Sequence, residues 1–279
     1  EPGPFLDSDQ AQARDGRGKD EPMTDMIAAT AERLVREHRD RTPFHTLAGL
    51  DDVESAYGVQ KAYVAAISAG RKAAGYKIGL TSRRMQAMCG IDSPVAGVIS
   101  ADSVMGSGAL LHRSAYHHLG LEFEICVRLG ADLAPRSAPV GRDEAAAAVD
   151  ALCAAIEIID DRNADYAGGI DRKSLIADNS WNAGVVLGVF VSPPERMENV
   201  EGVALQDGVE IGRGRGADAL GHPLEPLTWL ANHLWAQGGM LRKGDIVMTG
   251  SIVTTRFPDA ASNYHFDISG IGGVSAAVI

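Results

Sequence analysis

Glu122 and Glu124 stand two residues apart in the apolar run Leu121-Glu122-Phe123-Glu124-Ile125, and a third acid, Glu157, interrupts a second run, Ala155-Ile156-Glu157-Ile158-Ile159. Alternate residues of a strand share a face. Glu122 and Glu124 would therefore point together, while Phe123, Ile125 and Val127 point the other way, into a core. Carboxylates in apolar surroundings take up protons unless a cation keeps them ionised, and a hard divalent ion is the cation that oxygen ligands suit. Metal-assisted chemistry is the expectation. A Glu pair by itself also fits a solvated strand face, so its meaning depends on the residues around it.

Lys77 lies between Gly75 and Gly79 in the short run Tyr76-Lys77-Ile78, a setting that would project its ammonium from tightly packed backbone into a cleft. Burial lowers a lysine pKa and nearby carboxylates modulate it, which suits proton transfer; the alternative is an exposed edge-strand lysine. His117 and His118 precede the Glu pair, but neighbours on a strand face opposite ways, so at most His118 has the parity to join it. Leu220-Gly221-His222-Pro223 leads into a helix start whose free backbone donors could receive a carboxylate or simply be well capped. Asp160 and Asp161, just after Glu157, and Asp178-Asn179 could steady the ligands or make ordinary strand ends and turns. Gly212-Arg213-Gly214-Arg215-Gly216 lacks the lysine and hydroxyl residue of a nucleotide loop and reads as a turn. There is no Gly-x-Ser-x-Gly nucleophile elbow.

The elements that must carry these residues follow from periodicity. Residues 1–22 are polar and read as a flexible extension. From Thr24 onward Ile27, Ala31, Leu34 and Val35 recur at helical spacing, as do Val53, Tyr57, Val64 and Ile67 within Asp51 to Ala69. This predicts an N-terminal helical region over 23–74 and a catalytic domain over 75–279. Within the latter, glycine-bounded strands are expected at Tyr76–Leu80, Val95–Ile99, Leu119–Leu129, Gly184–Val191 and Asp245–Thr249. A helix is expected over Asp143–Ala155, an Asp-Gly hairpin turn at Asp207-Gly208, and an amphipathic helix with Pro223 at its first position and Leu224, Leu227, Leu230 and Leu234 inward. Strands do not alternate regularly with helices, which favours an α+β fold over a doubly wound sheet.

The chain has 279 residues, 45% of them hydrophobic, enough for a substantial core. A net charge of -11 argues against nucleic acid or an anionic membrane surface as a partner. No apolar run approaches the ~20 residues of a membrane span. Cys89, Cys126 and Cys153 have no paired short spacing, so neither a disulfide framework nor a zinc site is suggested, and a reducing cytoplasm fits.

Taken together, Gly75-Tyr76-Lys77-Ile78-Gly79-Leu80-Thr81-Ser82, Glu122-Phe123-Glu124-Ile125, Ile156-Glu157-Ile158-Ile159-Asp160, Ala177-Asp178-Asn179, Leu220-Gly221-His222-Pro223-Leu224 and Lys243-Gly244-Asp245-Ile246-Val247-Met248-Thr249-Gly250 occur in the order found in one family. From about Met26 to its end the chain resembles the 2-keto-4-pentenoate hydratases of the fumarylacetoacetase-like superfamily. The resemblance implies a mixed β-roll or pseudo-barrel with an N-terminal helical region, Mg2+ or Mn2+ on Glu122, Glu124 and Glu157, and Lys77 in proton transfer. It also implies substrate contacts from His222, Thr249 and Gly250, support from Asp160, Asp178 and Asn179, and a homo-oligomer. The substrate implied is a small anionic 2-hydroxydienoate or 2-oxo acid, hydrated to a 4-hydroxy-2-oxo acid during aromatic meta-cleavage catabolism. Two segments depart from the hydratase pattern. Pro94-Val95-Ala96-Gly97 has an apolar residue where the hydratases commonly carry aspartate, closer to the related 4-oxalocrotonate decarboxylases, and His118-Leu119-Gly120 replaces the usual Gln-Pro and basic residue. Decarboxylation of a 2-oxo-3-enedioate is therefore the nearest rival, followed by hydrolysis of an acylpyruvate and by a non-catalytic partner subunit.

Overall fold

A computed structural model describes residues 20–81, 86, 93–134 and 139–279; the rest of the expected N-terminal extension and Cys89 lie outside the described residues. Helix α1 runs over Asp20–Arg39 and α2 over Val53–Ser68, where the Asp52 carboxylate accepts from the Ser55 N–H and caps the first turn. Both lie where the apolar spacing placed them.

Among the described residues twelve strands follow, in two mixed sheets that do not close into a barrel. The larger has the order β2-β1-β10-β5-β6-β7-β3, with β1 Ala73–Gly79, β2 Val95–Ser100, β3 Val104–Gly106, β5 Leu119–Leu129, β6 Val149–Asp160, β7 Asn182–Leu187 and β10 Ile246–Arg256. The smaller has the order β4-β12-β11-β8-β9, with β4 Ala109–Leu111, β8 Glu201–Gln206, β9 Val209–Arg215, β11 Ser262–Ile268 and β12 Gly272–Val278. One face of β5 and β6, carrying Leu121, Phe123, Ile125, Ile156 and Ile158, packs with the smaller sheet in the main core, where the Phe123 and Phe266 rings lie 5.5 Å apart. The other face carries the acids. The larger sheet curls until β2 and β7 come into contact, so this second face becomes an interior.

An edge strand with unpaired backbone groups is costly to bury, and side chains seal the seam between β2 and β7. Asn179 accepts from the Val98 N–H (2.7 Å) and donates to the Val98 carbonyl (2.9 Å), as a neighbouring strand would. Gln60 of α2 donates to the Ala96 carbonyl, and the Tyr57 hydroxyl accepts from the Ala96 N–H. Asn179, Ser180 and Trp181 all take left-handed φ values (50°, 49° and 60°), an arrangement costing on the order of 1–3 kcal/mol per residue that persists only when contacts over-determine it.

Three expected elements differ. The helix foreseen over Asp143–Ala155 is α3, only Arg142–Ala148, because Val149 to Ala155 opens β6 between β5 and β7. An alanine-rich segment fits either state, and pairing on both sides decides it. The glycine run expected as a turn is strand β9, whose backbone approaches β10 so closely that a Cβ on Gly214 would lie 1.8 Å from the Ile252 carbonyl oxygen. Pro223 caps the helix Leu224–Ala236 rather than opening it; this is α5, after a short α4 at Arg172–Ala177. The Asp207-Gly208 turn joins β8 to β9 with φ of 49° and 82°, as a type I′ hairpin requires.

Candidate metal centre

Strand pairing brings the three acids together. Glu122 lies directly opposite Glu157 in the β5–β6 ladder, and Glu124 shares the face of Glu122. One carboxylate oxygen from each lies within 4.8 Å of the others, with Glu124 and Glu157 fully buried. Each acid accepts a hydrogen bond from a neutral group of the protein. Thr255 Oγ1 donates to Glu122 Oε1 (2.9 Å), the Gly250 N–H to Glu124 Oε2 (2.8 Å), and Asn182 Nδ2 to Glu157 Oε1 (2.9 Å). Glu124 Oε1 and Glu157 Oε2 have no hydrogen-bond partner although both are buried. Two buried carboxyl oxygens without a partner, in a cluster of three acids, are what an oxygen-seeking dication would satisfy, so the residues fit the metal the sequence implied.

Lys77 enters the cluster from β1, with Nζ 3.2 Å from Glu157 Oε1 and only 4% of the side chain exposed. Its stem packs against β2 where Gly97 has no side chain; a Cβ there would lie 3.1 Å from Lys77 Cγ. Burial alone would pull the Lys77 pKa down, but the carboxylates of Glu157, Glu122 and Glu124 outweigh it and hold the pKa above its ordinary value. This reverses the direction anticipated from burial. The acids move the other way. Burial, then Glu157 and Glu122, raise Glu124 well above the usual carboxylate range. Burial raises Glu157 to about 7 despite the opposing pull of Lys77.

A pH dependence follows. Glu157 titrates near 4.5 when unfolded and about 7 when folded without cation, so the fold is favoured by the bound proton. That contribution is complete below 4.5 and lost as pH rises to about 7. A dication must displace the same proton, so its affinity should climb over this interval and by up to about tenfold per unit for each proton released. Calorimetric Mg2+ titrations from pH 5.5 to 8, with melting curves on the same samples, check both trends. A pH-independent affinity would count against proton competition at these acids.

Of the other sequence candidates, Gly250 alone has a hydrogen bond to the acids among the described residues. Gly250 supports Glu124 through its N–H, and at φ 102° a Cβ there would lie 1.9 Å from Thr81 Oγ1. Thr249 is fully buried with its hydroxyl donated to the Ile125 carbonyl (2.9 Å). His222 lines a separate cavity of about 400 Å3 with Pro94, Arg142 and Trp229, and none of the three acids lines it. Its Nδ1 accepts from the Leu224 N–H (3.1 Å), and burial and Arg142 hold the imidazole below its ordinary pKa. Asp160 accepts from the His117 and His118 N–H groups (2.9 Å each), and Asp178 binds Arg162 (2.9 Å) and His38 (2.6 Å). Neither these two nor Asn179 has a hydrogen bond to the acid cluster among the described residues. Asn182 and Thr255 do that work and were not singled out. Their pairing with Glu157 and Glu122 depends on ladder irregularities at Ile158/Ile159 and along β10 that no spacing signals.

Residues 55–279 match the family described as fumarylacetoacetate (FAA) hydrolase C-terminal. The chain belongs to the fumarylacetoacetate hydrolase family. Within it, the chain is 31% identical over 259 residues to 2-keto-4-pentenoate hydratase 1 of Dechloromonas aromatica, covering 91% of this chain and 96% of that one. It is 34% identical over 212 residues to the 2-keto-4-pentenoate hydratase of Burkholderia vietnamiensis, covering 74% and 78%. Among solved structures, 4-oxalocrotonate decarboxylase from Pseudomonas putida G7, complexed with magnesium and adipate, superposes with a TM-score of 0.83 at 27% identity, covering 91% and 98%. As a fumarylacetoacetate hydrolase family member the chain has the α+β arrangement expected of it, and among its described residues no helix is long and apolar enough to cross a membrane.

Proposed function

We propose that this family member is a hydro-lyase that adds water to a 2-hydroxyalka-2,4-dienoate, giving a 4-hydroxy-2-oxo acid in aromatic meta-cleavage catabolism. The observation that carries the reading is the buried Glu122–Glu124–Glu157 cluster, two of its oxygens unpartnered, with the Lys77 ammonium against it. Mg2+ or Mn2+, held by those three acids, would supply Lewis acidity toward the substrate's carboxylate and 2-oxygen. The protein's own groups do the rest. Lys77, protonated and shielded from water, would give a proton to the terminal carbon of the dienol while the 2-hydroxyl gives up its own, which restores the ammonium, and the substrate becomes a conjugated 2-oxo-3-enoate. Water then adds at C4 and a proton at C3, completing the balance of one dienol plus one water to one hydroxy-oxo acid. Asn182, Thr255 and the Gly250 N–H hold the carboxylates in place throughout. We also infer a cytoplasmic homo-oligomer, by analogy with the family.

Val95 favours a second reading. It is buried, it pairs with Gly79 two residues beyond Lys77, and its Cγ2 would lie 3.3 Å from a Cβ placed on Gly79. An apolar group there offers a hydrating water no base, but would desolvate a departing carboxylate, as 4-oxalocrotonate-type decarboxylation needs. Purified protein with Mg2+ and 2-hydroxypenta-2,4-dienoate should bleach the dienol absorbance. No loss of absorbance with this or longer dienoates would remove the hydratase reading, and carbon dioxide release from 4-oxalocrotonate would install the second.

A further inference from the structure

Lys77 is a flexible side chain that has to point one way. A long aliphatic stem loses rotamer freedom when its charged end is held in one place, so rigid backbone must line it. Gly97 lies directly opposite Lys77 in the β1–β2 ladder, and a Cβ there would lie 3.1 Å from Lys77 Cγ, 3.2 Å from Lys77 Cδ and 2.6 Å from the Asn179 carbonyl oxygen. The lysine stem and the Asn179 carbonyl thus share the space that a side chain at Gly97 would take. Further along, the ammonium passes Gly79, where a Cβ would lie 3.5 Å from Nζ. The stem runs through a slot bounded by bare glycines and the Asn179 carbonyl, and it delivers Nζ to 3.2 Å from Glu157 Oε1.

The slot is built on an edge strand. β2 ends the larger sheet, so its outward backbone groups at Ala96 and Val98, on either side of Gly97, meet side chains instead of a neighbouring strand. Gln60 Nε2 donates to both the Ala96 and the Ile176 carbonyls (2.8 Å each), which ties β2 to α4, and Ser180 Oγ donates to the Ala96 carbonyl (3.2 Å). Asn179, at φ 50°, holds both Val98 backbone groups with its side chain while its own carbonyl stands against Gly97. Gln60, Asn179 and Ser180 are all buried. Among the described residues none of the three has a hydrogen bond to Glu122, Glu124 or Glu157, so what they fix is the strand beside the lysine.

We propose that Gly97 and Asn179 are positioning residues for Lys77: together they shape the slot that aims its ammonium at Glu157, and so set the rate of proton transfer without touching substrate or cation. The kinetic arm of the test rests on the function proposed above; a spectroscopic arm does not. In the full chain labelled with 15N-lysine, the buried and paired Lys77 ammonium should give a slowly exchanging proton–nitrogen signal, assigned by its loss in Lys77→Met. Gly97→Ala should shift or erase that signal and lower kcat by about tenfold to a hundredfold, the scale of an ångström-sized misplacement. KM, and Mg2+ affinity by calorimetry, should stay within about twofold of the parent. Asn179→Gly removes the clamp on Val98 while easing the left-handed backbone; it should move both readouts in the same direction, and it carries the test if Gly97→Ala does not fold. A residue that only supports the fold would lower the melting temperature and leave signal and kcat of the folded protein unmoved. Signal and kcat unmoved in both variants, or a loss of kcat matched by an equal loss of Mg2+ affinity, overturns the positioning role and leaves the hydratase reading intact. Absence of the ammonium signal in the parent overturns it as well, since the lysine would then not be held. A parent that turns over no dienoate removes the hydratase reading, and the signal in the two variants then decides the slot alone.

Discussion

Glu124→Gln should lower the affinity for Mg2+ by on the order of a hundredfold or more, since the charge count of the ligand set tunes such sites over decades, while leaving the fold intact. The substitution keeps the shape of the side chain and keeps an oxygen for the Gly250 N–H, which now donates to Glu124 Oε2 at 2.8 Å. What it removes is an anion that burial and the neighbouring Glu157 and Glu122 already disfavour. Without cation the variant should therefore melt no lower than the parent, because the new amide relieves repulsion and can donate toward the partnerless Glu157 oxygen. With cation the two should separate: Mg2+ raises the parent's melting temperature by mass action and leaves the variant's nearly unmoved. Parent-like Mg2+ affinity would remove Glu124 from the ligand set. A variant that unfolds instead would mean that the carboxylate is structural, and Glu157→Gln, which retains the Asn182 contact site, then provides the independent reading.

These acids were legible in the sequence because strand β5 alternates cleanly, with Leu121, Phe123 and Ile125 on the core face and Glu122 and Glu124 on the other. Lys77 was legible through Gly75 and Gly79, and the structure gives Gly75 a reason: a Cβ there would lie 1.8 Å from the Ile246 carbonyl oxygen, where β1 runs beside β10. What stayed hidden depends on how strands meet. Val149 to Ala155 is alanine-rich and became strand through β5 on one side and, at Leu152 and Ala155, through Val191 and Leu187 on the other. Asn182 and Thr255 reach their acids past irregular registers, and Asn179 reads as a turn residue until β2 curls against it. Motif order located the acids and the lysine, whereas long-range pairing chose the groups that hold them.

Lys77→Met should leave the protein folded, bind the dication at least as tightly as the parent, and lose turnover by about two to four orders of magnitude, the scale of a positioned proton donor. The sign of the affinity change is the discriminating part. The Lys77 ammonium lies 3.2 Å from a Glu157 oxygen and is stabilised by the same three acids that would ligate a cation. It therefore competes electrostatically with an incoming dication, and a methionine of similar length ends that competition without opening a cavity. Lys77 also owes its raised pKa to those acids, with burial pulling the opposite way. Once it shares them with a dication, burial prevails and the proton becomes easier to give. A lysine that is merely a counter-ion would show the affinity gain without the loss of turnover, so the two readouts separate the roles: dienol bleaching under single-turnover conditions, and Mg2+ affinity by calorimetry. Full turnover in Lys77→Met would make the lysine a counter-ion for the empty acids and nothing more. Lost turnover accompanied by lost affinity would point to a collapsed site in place of a missing proton.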